Sequence, residues 1–161
     1  MEIVLVEPEI PGNTGNIARL CAANHMTLHL VKPLGFEISD KHLKRAGLDY
    51  WHLVDVQVHE NLQEVFDKYP DRRYFYATTK AKHTHADIVY QPGDMLVFGK
   101  ETKGLPEELI AANEDTCIRI PMVDEARSLN LSNAVAIIAY EAMRQLGFPD
   151  LKEIGPGVTN K

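Results

Sequence analysis

The feature that most constrains the fold is the alternation of short apolar runs with longer helical runs along the 161 residues. The short runs are rich in valine, isoleucine and leucine, as is typical of buried strands, and the longer runs have the apolar spacing of helices. This alternation predicts an α/β fold with a parallel or mostly parallel sheet and helices on its faces. The predicted strands lie at residues 2–6, 27–31, 54–58, 74–78, 95–98 and 118–120.

The predicted helices lie between these strands. Ser39 is expected to cap a short basic helix that ends near Gly47, because serine is a preferred N-cap residue and glycine a preferred stop. The last helix is apolar on nearly all faces, which indicates that it is buried on two sides and that a partner subunit covers the second side. The other helices are expected at residues 13–24 and 60–69, from residue 106 onward, and at 131–146.

Composition indicates one globular domain, which we expect to span residues 1–149 and to be followed by a flexible tail at 150–161. No apolar run is long enough to span a bilayer, and the first residues lack the features of a signal peptide. We therefore expect a cytoplasmic protein. Cys21 and Cys117 are expected to be buried free thiols of a reducing compartment.

The net charge of −6 does not by itself indicate a nucleic-acid binder. A phosphate-binding surface needs lysine and arginine gathered on one face, which a net charge cannot exclude. Such local clusters occur around residues 41–45, at 72–73, at 80–85 and at Lys100 with Lys103. Solvated surface is the ordinary interpretation of any one of them.

Three segments each follow a predicted strand and lead into a helix, which is where ligands bind in open α/β sheets. The first, residues 7–19, has two prolines and two glycines before a helix N-terminus of the kind that attracts anions, and it ends on Arg19. The second, residues 99–104, has the glycine spacing of a P-loop but lacks the Lys-Ser/Thr that would follow it, which argues against a nucleoside triphosphate. The third, residues 120–133, is a polar loop with apolar residues at both ends.

The residues alone leave other interpretations open. Each segment also fits an ordinary strand-to-helix turn, and the fold would suit a flavodoxin-like nucleotide-binding module without catalysis. Ser128 could serve a hydrolase as nucleophile, but no G-x-S-x-G elbow surrounds it. His83, His85 and Asp87 lack a further histidine or cysteine nearby, so we expect no metal site.

Together and in order, the three segments resemble the SPOUT methyltransferases, in the SpoU-like branch and its YibK-like group of single-domain tRNA wobble-nucleotide 2′-O-methyltransferases. The resemblance runs from Ile3 to about Gly147 and rests on PEIPGNTGNIARLC, LVFGKETKGLP and IPMVDEARSLNLSNAVAIIAYEA. It implies a SPOUT α/β knot, with a mostly parallel sheet and a C-terminal trefoil knot over about residues 75–147. It also implies a homodimer in which the partner completes each active site, and no membrane partner.

By the same resemblance, S-adenosylmethionine is the methyl donor, no metal is needed, and the loops at 77–82, 99–104 and 120–130 hold the cofactor. An apolar slot suits the adenine ring, and backbone groups of the glycine loop suit its polar edge. The residues that the resemblance places in or beside this site are Ala77, Gly99, Ile120, Met122, Ser128, Leu129 and Asn133.

The resemblance further places Arg19 beside the 2′-hydroxyl that accepts the methyl group. An arginine side chain stays protonated, so stabilising the developing alkoxide is a more economical role than accepting its proton. Asn16 and Glu7 are expected to orient Arg19, and Glu101 to help hold the site. The expected substrate is the wobble cytidine or modified uridine of a tRNA anticodon stem-loop, usually in leucine tRNAs. Another tRNA or rRNA nucleotide, and a knotted RNA-binding protein without activity, are the alternatives.

Overall fold

The computed structural model describes residues 1–39, 41, 43, 45 and 50–158. Strands and helices alternate along most of these residues, although three strands follow one another between residues 74 and 98, and 3-10 turns occur at Trp51–Leu53 and Glu114–Thr116. The strands are β1 (Glu2–Val6), β2 (Thr27–Val31), β3 (Val56–His59), β4 (Tyr74–Ala77), β5 (His83–Thr84), β6 (Met95–Phe98) and β7 (Cys117–Arg119). The helices are α1 (Pro11–Asn24), α2 (Leu62–Lys68), α3 (Glu107–Ala112) and α4 (Leu131–Gln145).

The seven strands form one sheet in the order β3-β2-β1-β6-β4-β7-β5, and each neighbouring pair is parallel. The predicted α/β fold is confirmed, and the sheet is wholly rather than mostly parallel over the described residues. The direction in which strands are added reverses between β1 and β6, which makes this position a switch point of the kind where ligands bind. Because Leu5 is in register with Phe98, the loops that leave these two strands begin side by side.

Most of the predicted elements lie where the sequence placed them, with small shifts at their ends. Helix α1 begins at Pro11 rather than at residue 13, because the first helical position does not need the N–H that proline lacks. Strand β5 is not predicted by the sequence, since its two residues lie in a polar loop without an apolar pattern. The helix expected between residues 39 and 47 lies largely outside the described residues.

Successive side chains of the central strands face opposite sides of the sheet, and both sides are covered. Ile3 and Leu5 pack in the core with α1 and α4, whereas Val4 and Val6 pack on the other side with Val65 of α2. This two-sided burial explains why the strands are continuous apolar runs in the sequence. It also leaves the carboxyl ends of the strands, where the loops begin, as the place for polar chemistry.

Both cysteines are free and buried, as predicted. Burial raises the pKa of the Cys21 thiol to about 12, so this group stays protonated at neutral pH and is a poor nucleophile. Within the part of the chain that the structure describes, no helix combines the length and the apolarity that crossing a membrane would need.

Candidate functional site

A cleft of about 630 Å³ lies at the carboxyl ends of β4, β6 and β7. Its volume falls within the range of roughly 300–1,000 Å³ that is usual for small-molecule sites. All three of the motif-bearing segments contribute to its wall. The contributing residues include Ile10, Asn13, Ala77, Thr78, Gly99, Lys100, Glu101, Thr102, Lys103, Ile118, Ile120, Met122, Arg127, Ser128, Leu129 and Asn130.

Glu101 joins the second segment to the first. Its carboxylate accepts hydrogen bonds from the backbone N of Glu9 at 2.9 Å and of Ile10 at 2.6 Å, and from Nδ2 of Asn13 at 3.4 Å. The N-cap of α1 is Ile10, whose side chain cannot accept a hydrogen bond. A carboxylate from a distant loop therefore binds the backbone N–H of the N-cap residue and of the residue before it, at the positive end of the helix dipole.

The third segment is joined to the first through Asn130 and Asn13. The side chain of Asn130 caps α4 by accepting hydrogen bonds from the backbone N of Ser132 at 2.9 Å and of Asn133 at 3.4 Å. Its Nδ2 donates to Oδ1 of Asn13 at 3.2 Å. Asn13 thus contacts both Glu101 and Asn130, so the three segments form one hydrogen-bonded unit beside the cleft.

Gly99 opens the loop that leaves β6, and no larger residue fits there. A Cβ at this position would lie 2.1 Å from the carbonyl carbon of Gly104 and 2.2 Å from the backbone N of Leu105. Gly104 itself has a φ of +68°, in the left-handed region that favours glycine, and its N donates to the carbonyl of Lys100 at 2.8 Å. The two glycines close the loop on itself and bring its backbone to the wall of the cleft.

Comparison with known proteins agrees with this combination of segments and cleft. A profile of the SpoU rRNA Methylase family matches residues 1–140. The chain belongs to the SpoU rRNA methylase family.

Relatives and solved structures of other proteins align with this SpoU family member over most of its length. The tRNA (cytidine(34)-2′-O)-methyltransferase of Methylovorus glucosotrophus (strain SIP3-4) is 53% identical over 148 residues, which cover 91% of this chain and 96% of that protein. A solved structure that concerns the 2-OH methylation of C/U34 on tRNA is 44% identical with a TM-score of 0.87, and the match covers 91% of this chain and 95% of that chain. An AdoMet-bound rRNA methyltransferase from Sinorhizobium meliloti is 26% identical with a TM-score of 0.80, and the match covers 90% of this chain and 56% of that chain.

The cleft of this SpoU methylase brings together most of the residues predicted to bind the cofactor. Ala77, Gly99, Ile120, Met122, Ser128 and Leu129 all lie on its wall. Asn133 does not line the cleft; it is exposed in the first turn of α4, and its backbone N is one of the groups capped by Asn130. The binding role of each of these residues stays a prediction, but six of them share one cavity.

Arg19 and Asn16 lie outside this cleft. Both are exposed on α1, and the Arg19 guanidinium carbon lies 4.7 Å from the centre of the Tyr50 ring. Among the hydrogen bonds of the described residues, none joins Asn16 or Glu7 to Arg19. Glu7 has a left-handed φ of 55°. Within one chain, the predicted catalytic arginine and the predicted cofactor residues are thus on separate surfaces, connected by α1 and by the Glu101 network.

Sequence reasoning missed the roles of Glu9, Asn13, Thr102 and Asn130. One signal was available: a helix that begins Ile-Pro-Gly has no capping side chain, so its N-terminal groups need partners from elsewhere. The sequence does not identify that partner, Glu101, because it lies 92 residues from Glu9 and 91 residues from Ile10. Among the described residues, no group of three or more His, Cys, Asp and Glu side chains is arranged to hold a metal ion.

Proposed function

We propose that this chain is an S-adenosylmethionine-dependent methyltransferase that acts on the ribose 2′-hydroxyl of nucleotide 34, a cytidine or modified uridine, in tRNA. One observation carries the proposal. The three family segments converge on a single cleft, in a chain that is about half identical along nearly its whole length to tRNA (cytidine(34)-2′-O)-methyltransferases, at 53% for the Methylovorus enzyme. The family resemblance makes leucine tRNAs, through their anticodon stem-loops, the first substrates to examine, and the cytoplasm is the location that we expect from the sequence.

The chemistry of the cleft fits S-adenosylmethionine. Ile120, Met122 and Leu129 provide an apolar wall for a purine ring, and the loop between Gly99 and Gly104 presents backbone groups to its polar edge. When bound there, S-adenosylmethionine supplies an electrophilic methyl group. Ser128 and Asn133 are proposed to assist in holding it, Asn133 from the first turn of α4.

We assign Arg19 to the acceptor hydroxyl rather than to the cofactor. Its guanidinium stabilises the negative charge that develops on the 2′-oxygen, which is a role for a fixed cation and needs no proton transfer to arginine. Glu101 acts indirectly, because it fixes the start of α1, the helix that carries Arg19 and Asn16. Lys100, Lys103 and Arg127 line the same cleft and supply positive charge for phosphates, although the chain as a whole is acidic.

A homodimer is part of the proposal, because the two parts of the site lie apart on one chain. Helix α4 leaves Ile137 40% and Tyr140 38% exposed, although its other side is buried in the core. A second copy that covers these side chains would bury the apolar face and bring its own α1 toward the cleft. Two copies would also present two sets of basic residues to one RNA.

The trefoil knot and the domain limits are proposed on the order of the strands. Strand β6 lies between β1 and β4, and β7 lies between β4 and β5, so late segments of the chain are inserted between earlier ones. Such insertion is what threading of the C-terminal part through a loop would produce, over about residues 75–147. We propose that residues 1–149 form the methyltransferase domain and that residues 150–161 are a tail.

The decisive test is methyl transfer from labelled S-adenosylmethionine to an unmodified leucine tRNA, followed by digestion and identification of the nucleosides. We expect a 2′-O-methylated nucleoside at position 34. The matched control is the same RNA with a 2′-deoxynucleotide at position 34, which should accept no label. Label on both RNAs would place the target elsewhere, and no label with tight cofactor binding would favour the inactive RNA-binding alternative.

The role of Arg19 has its own test. Arg19→Ala should lower the rate of methyl transfer by about 100-fold or more, which is the usual cost of losing one group that stabilises a developing oxyanion. Because Arg19 lies outside the cleft, the affinity for S-adenosylmethionine measured by calorimetry should stay unchanged. An Arg19→Ala variant with full turnover would rule the assignment out.

A further inference from the structure

Glu9 has no part in the reaction proposed above, yet it holds the loop that forms one wall of the cleft. Its Oε1 accepts hydrogen bonds from Oγ1 of Thr102 at 2.7 Å and from the backbone N of Thr102 at 3.1 Å. These hydrogen bonds, with smaller contributions from the charges of Lys100 and Lys103, lower the pKa of Glu9 below its usual value. The carboxylate is therefore ionised at neutral pH, and its bonds to Thr102 are charge-assisted.

The contact is reciprocal. While Glu9 binds Thr102, the neighbouring Glu101 accepts hydrogen bonds from the backbone N of Glu9 and of Ile10. Each of the two loops thus inserts a carboxylate into the other, so neither loop can move without breaking bonds made by both. The two crossed carboxylates fix one pair of loops from both sides, whereas Glu101 alone binds the backbone just before α1.

The segment that carries Glu9 is also fixed on its far side. The backbone N of Gly35 donates to the carbonyl of Pro8 at 2.9 Å, and a Cβ on Gly35 would lie 2.7 Å from Cα of Glu9. Glu7, two residues earlier, has a left-handed φ of 55°, which a non-glycine residue keeps only where its surroundings enforce it. The segment therefore acts as a rigid support, and the loop from Gly99 to Gly104 is the part that would move if the contact were lost.

We propose that Glu9 is a positioning residue for the cofactor, which acts through Thr102 to hold the loop between Gly99 and Gly104 in its binding shape. This inference rests on the proposed function of the cleft. Because the same segment leads directly into α1, the crossed carboxylates of Glu9 and Glu101 also couple the state of the cofactor loop to the helix that carries Arg19.

The first experiment measures loop order without any ligand, by hydrogen–deuterium exchange. In Glu9→Gln, amides of residues 99–105 should exchange about three- to tenfold faster than in the wild type, because the glutamine oxygen still accepts from Thr102 but lacks the charge that strengthens both hydrogen bonds. Asp67→Asn is the matched control, since it removes one exposed carboxylate on α2 that accepts a hydrogen bond from Gln63 at 2.8 Å. Exchange of residues 99–105 at the wild-type rate in Glu9→Gln would overturn the inference.

The second experiment measures the affinity for S-adenosylmethionine by calorimetry. We expect Glu9→Gln to weaken binding by about three- to tenfold, and Thr102→Val to weaken it less because the backbone N of Thr102 still donates. Thr102→Ser keeps the hydroxyl and should restore wild-type affinity. In Glu9→Ala, which leaves Thr102 without this acceptor, adding Thr102→Val should weaken binding no further, because Glu9→Ala already removes the whole contact.

These measurements separate positioning from a general structural role. A general role would lower the fraction of folded, active protein while the folded fraction kept its dissociation constant, and that result would overturn the inference. The KM for tRNA should change by less than about twofold, since Glu9 is assigned to the cofactor loop. A wild type that binds no S-adenosylmethionine would overturn the proposed function together with this inference, whereas equal binding by wild type and variants would overturn this inference alone.

Discussion

The carboxylate network beside the cleft (Glu9, Glu101 and the groups that they bind) and the histidine cluster within the sheet (Glu2, His29 and His59) both join residues that are distant in sequence. They differ in whether their polar atoms have hydrogen-bond partners. Beside the cleft, both oxygens of Glu101 accept hydrogen bonds from the first segment. In the sheet, Nδ1 of His29 lies 2.9 Å from Nε2 of His59, while Nε2 of His29 lies 3.6 Å from Oε2 of Glu2. Among the described residues, these last two buried atoms have no hydrogen-bond partner.

The difference follows from where each group lies. The carboxylate network lies in loops at a switch point of the sheet. There, strand register does not fix which polar side chains meet, and a ligand can approach. The histidine cluster belongs to the strands β1, β2 and β3, where the register of the backbone dictates which side chains meet. We therefore expect changes in the network to alter ligand binding, and changes in the cluster to alter stability alone.

Gly99→Ala should have the largest effect on binding. Its Cβ would lie 2.1 Å from the carbonyl carbon of Gly104, so the loop must shift and the cleft must change shape. Displaced backbone of this kind costs roughly 1–3 kcal/mol, so the affinity for S-adenosylmethionine should fall by about tenfold to a hundredfold in calorimetry. The control is Gly12→Ala in α1, where a Cβ would meet nothing within 4 Å. Equal affinities in both variants would contradict the assignment of this loop to the cofactor.

His29→Ala should produce the opposite pattern. His29 is fully buried, so its truncation leaves a cavity and removes the partner of His59, at a cost of about 3 kcal/mol in the free energy of unfolding. Chemical denaturation measures this loss, and His52→Ala, at an exposed site, is the matched control. The activity of the folded fraction should remain within about twofold of the wild type, because Glu2, His29 and His59 are not among the described residues that line the cleft. A large loss of cofactor affinity would show that the two regions are coupled.

The sequence predicted these two regions unequally. Strands such as β1 and β6 were evident from their apolar runs, and Glu101 was evident from its motif. Its partners were not, because the contact with Glu9 and Ile10 exists only once β6 lies next to β1, and strand order depends on long-range topology rather than local pattern. Likewise, nothing near His29 in the sequence indicates that it meets His59, since only the parallel register of β2 with β3 brings them together.

The sequence also could not show that, within one chain, Arg19 lies apart from the predicted cofactor residues. The motifs place Arg19 and Ala77 in one site by resemblance, whereas the geometry of one chain places Arg19 beside Tyr50 and Ala77 in the cleft. A pattern of residues lists the members of a site without saying which chain provides each member. A dimeric site would satisfy both the motifs and the geometry.

The smallest expected effect is a dependence of stability on pH, which tests the histidine cluster separately from the cleft. Burial lowers the pKa of His59, and the nearby charges of His29 and Lys68 lower it further, against the opposing effect of Glu64. The unfolded chain therefore takes up a proton near pH 6.5, whereas the folded protein takes it up only at lower pH. Stability from this group is present above about pH 6.5 and is lost as the pH falls, with a slope of at most about 1.4 kcal/mol per pH unit.

Denaturation midpoints measured between about pH 8 and pH 5.5 should reveal this slope, and His59→Gln should flatten it because glutamine does not titrate. Cofactor affinity measured over the same range should not follow the same curve, since the cluster lies away from the cleft. If His59→Gln left the slope unchanged, the loss would belong to other groups and the cluster would not act as a titrating unit. If His59→Gln flattened both the stability curve and the affinity curve, the histidine cluster would influence the cleft, and the two regions would not be independent.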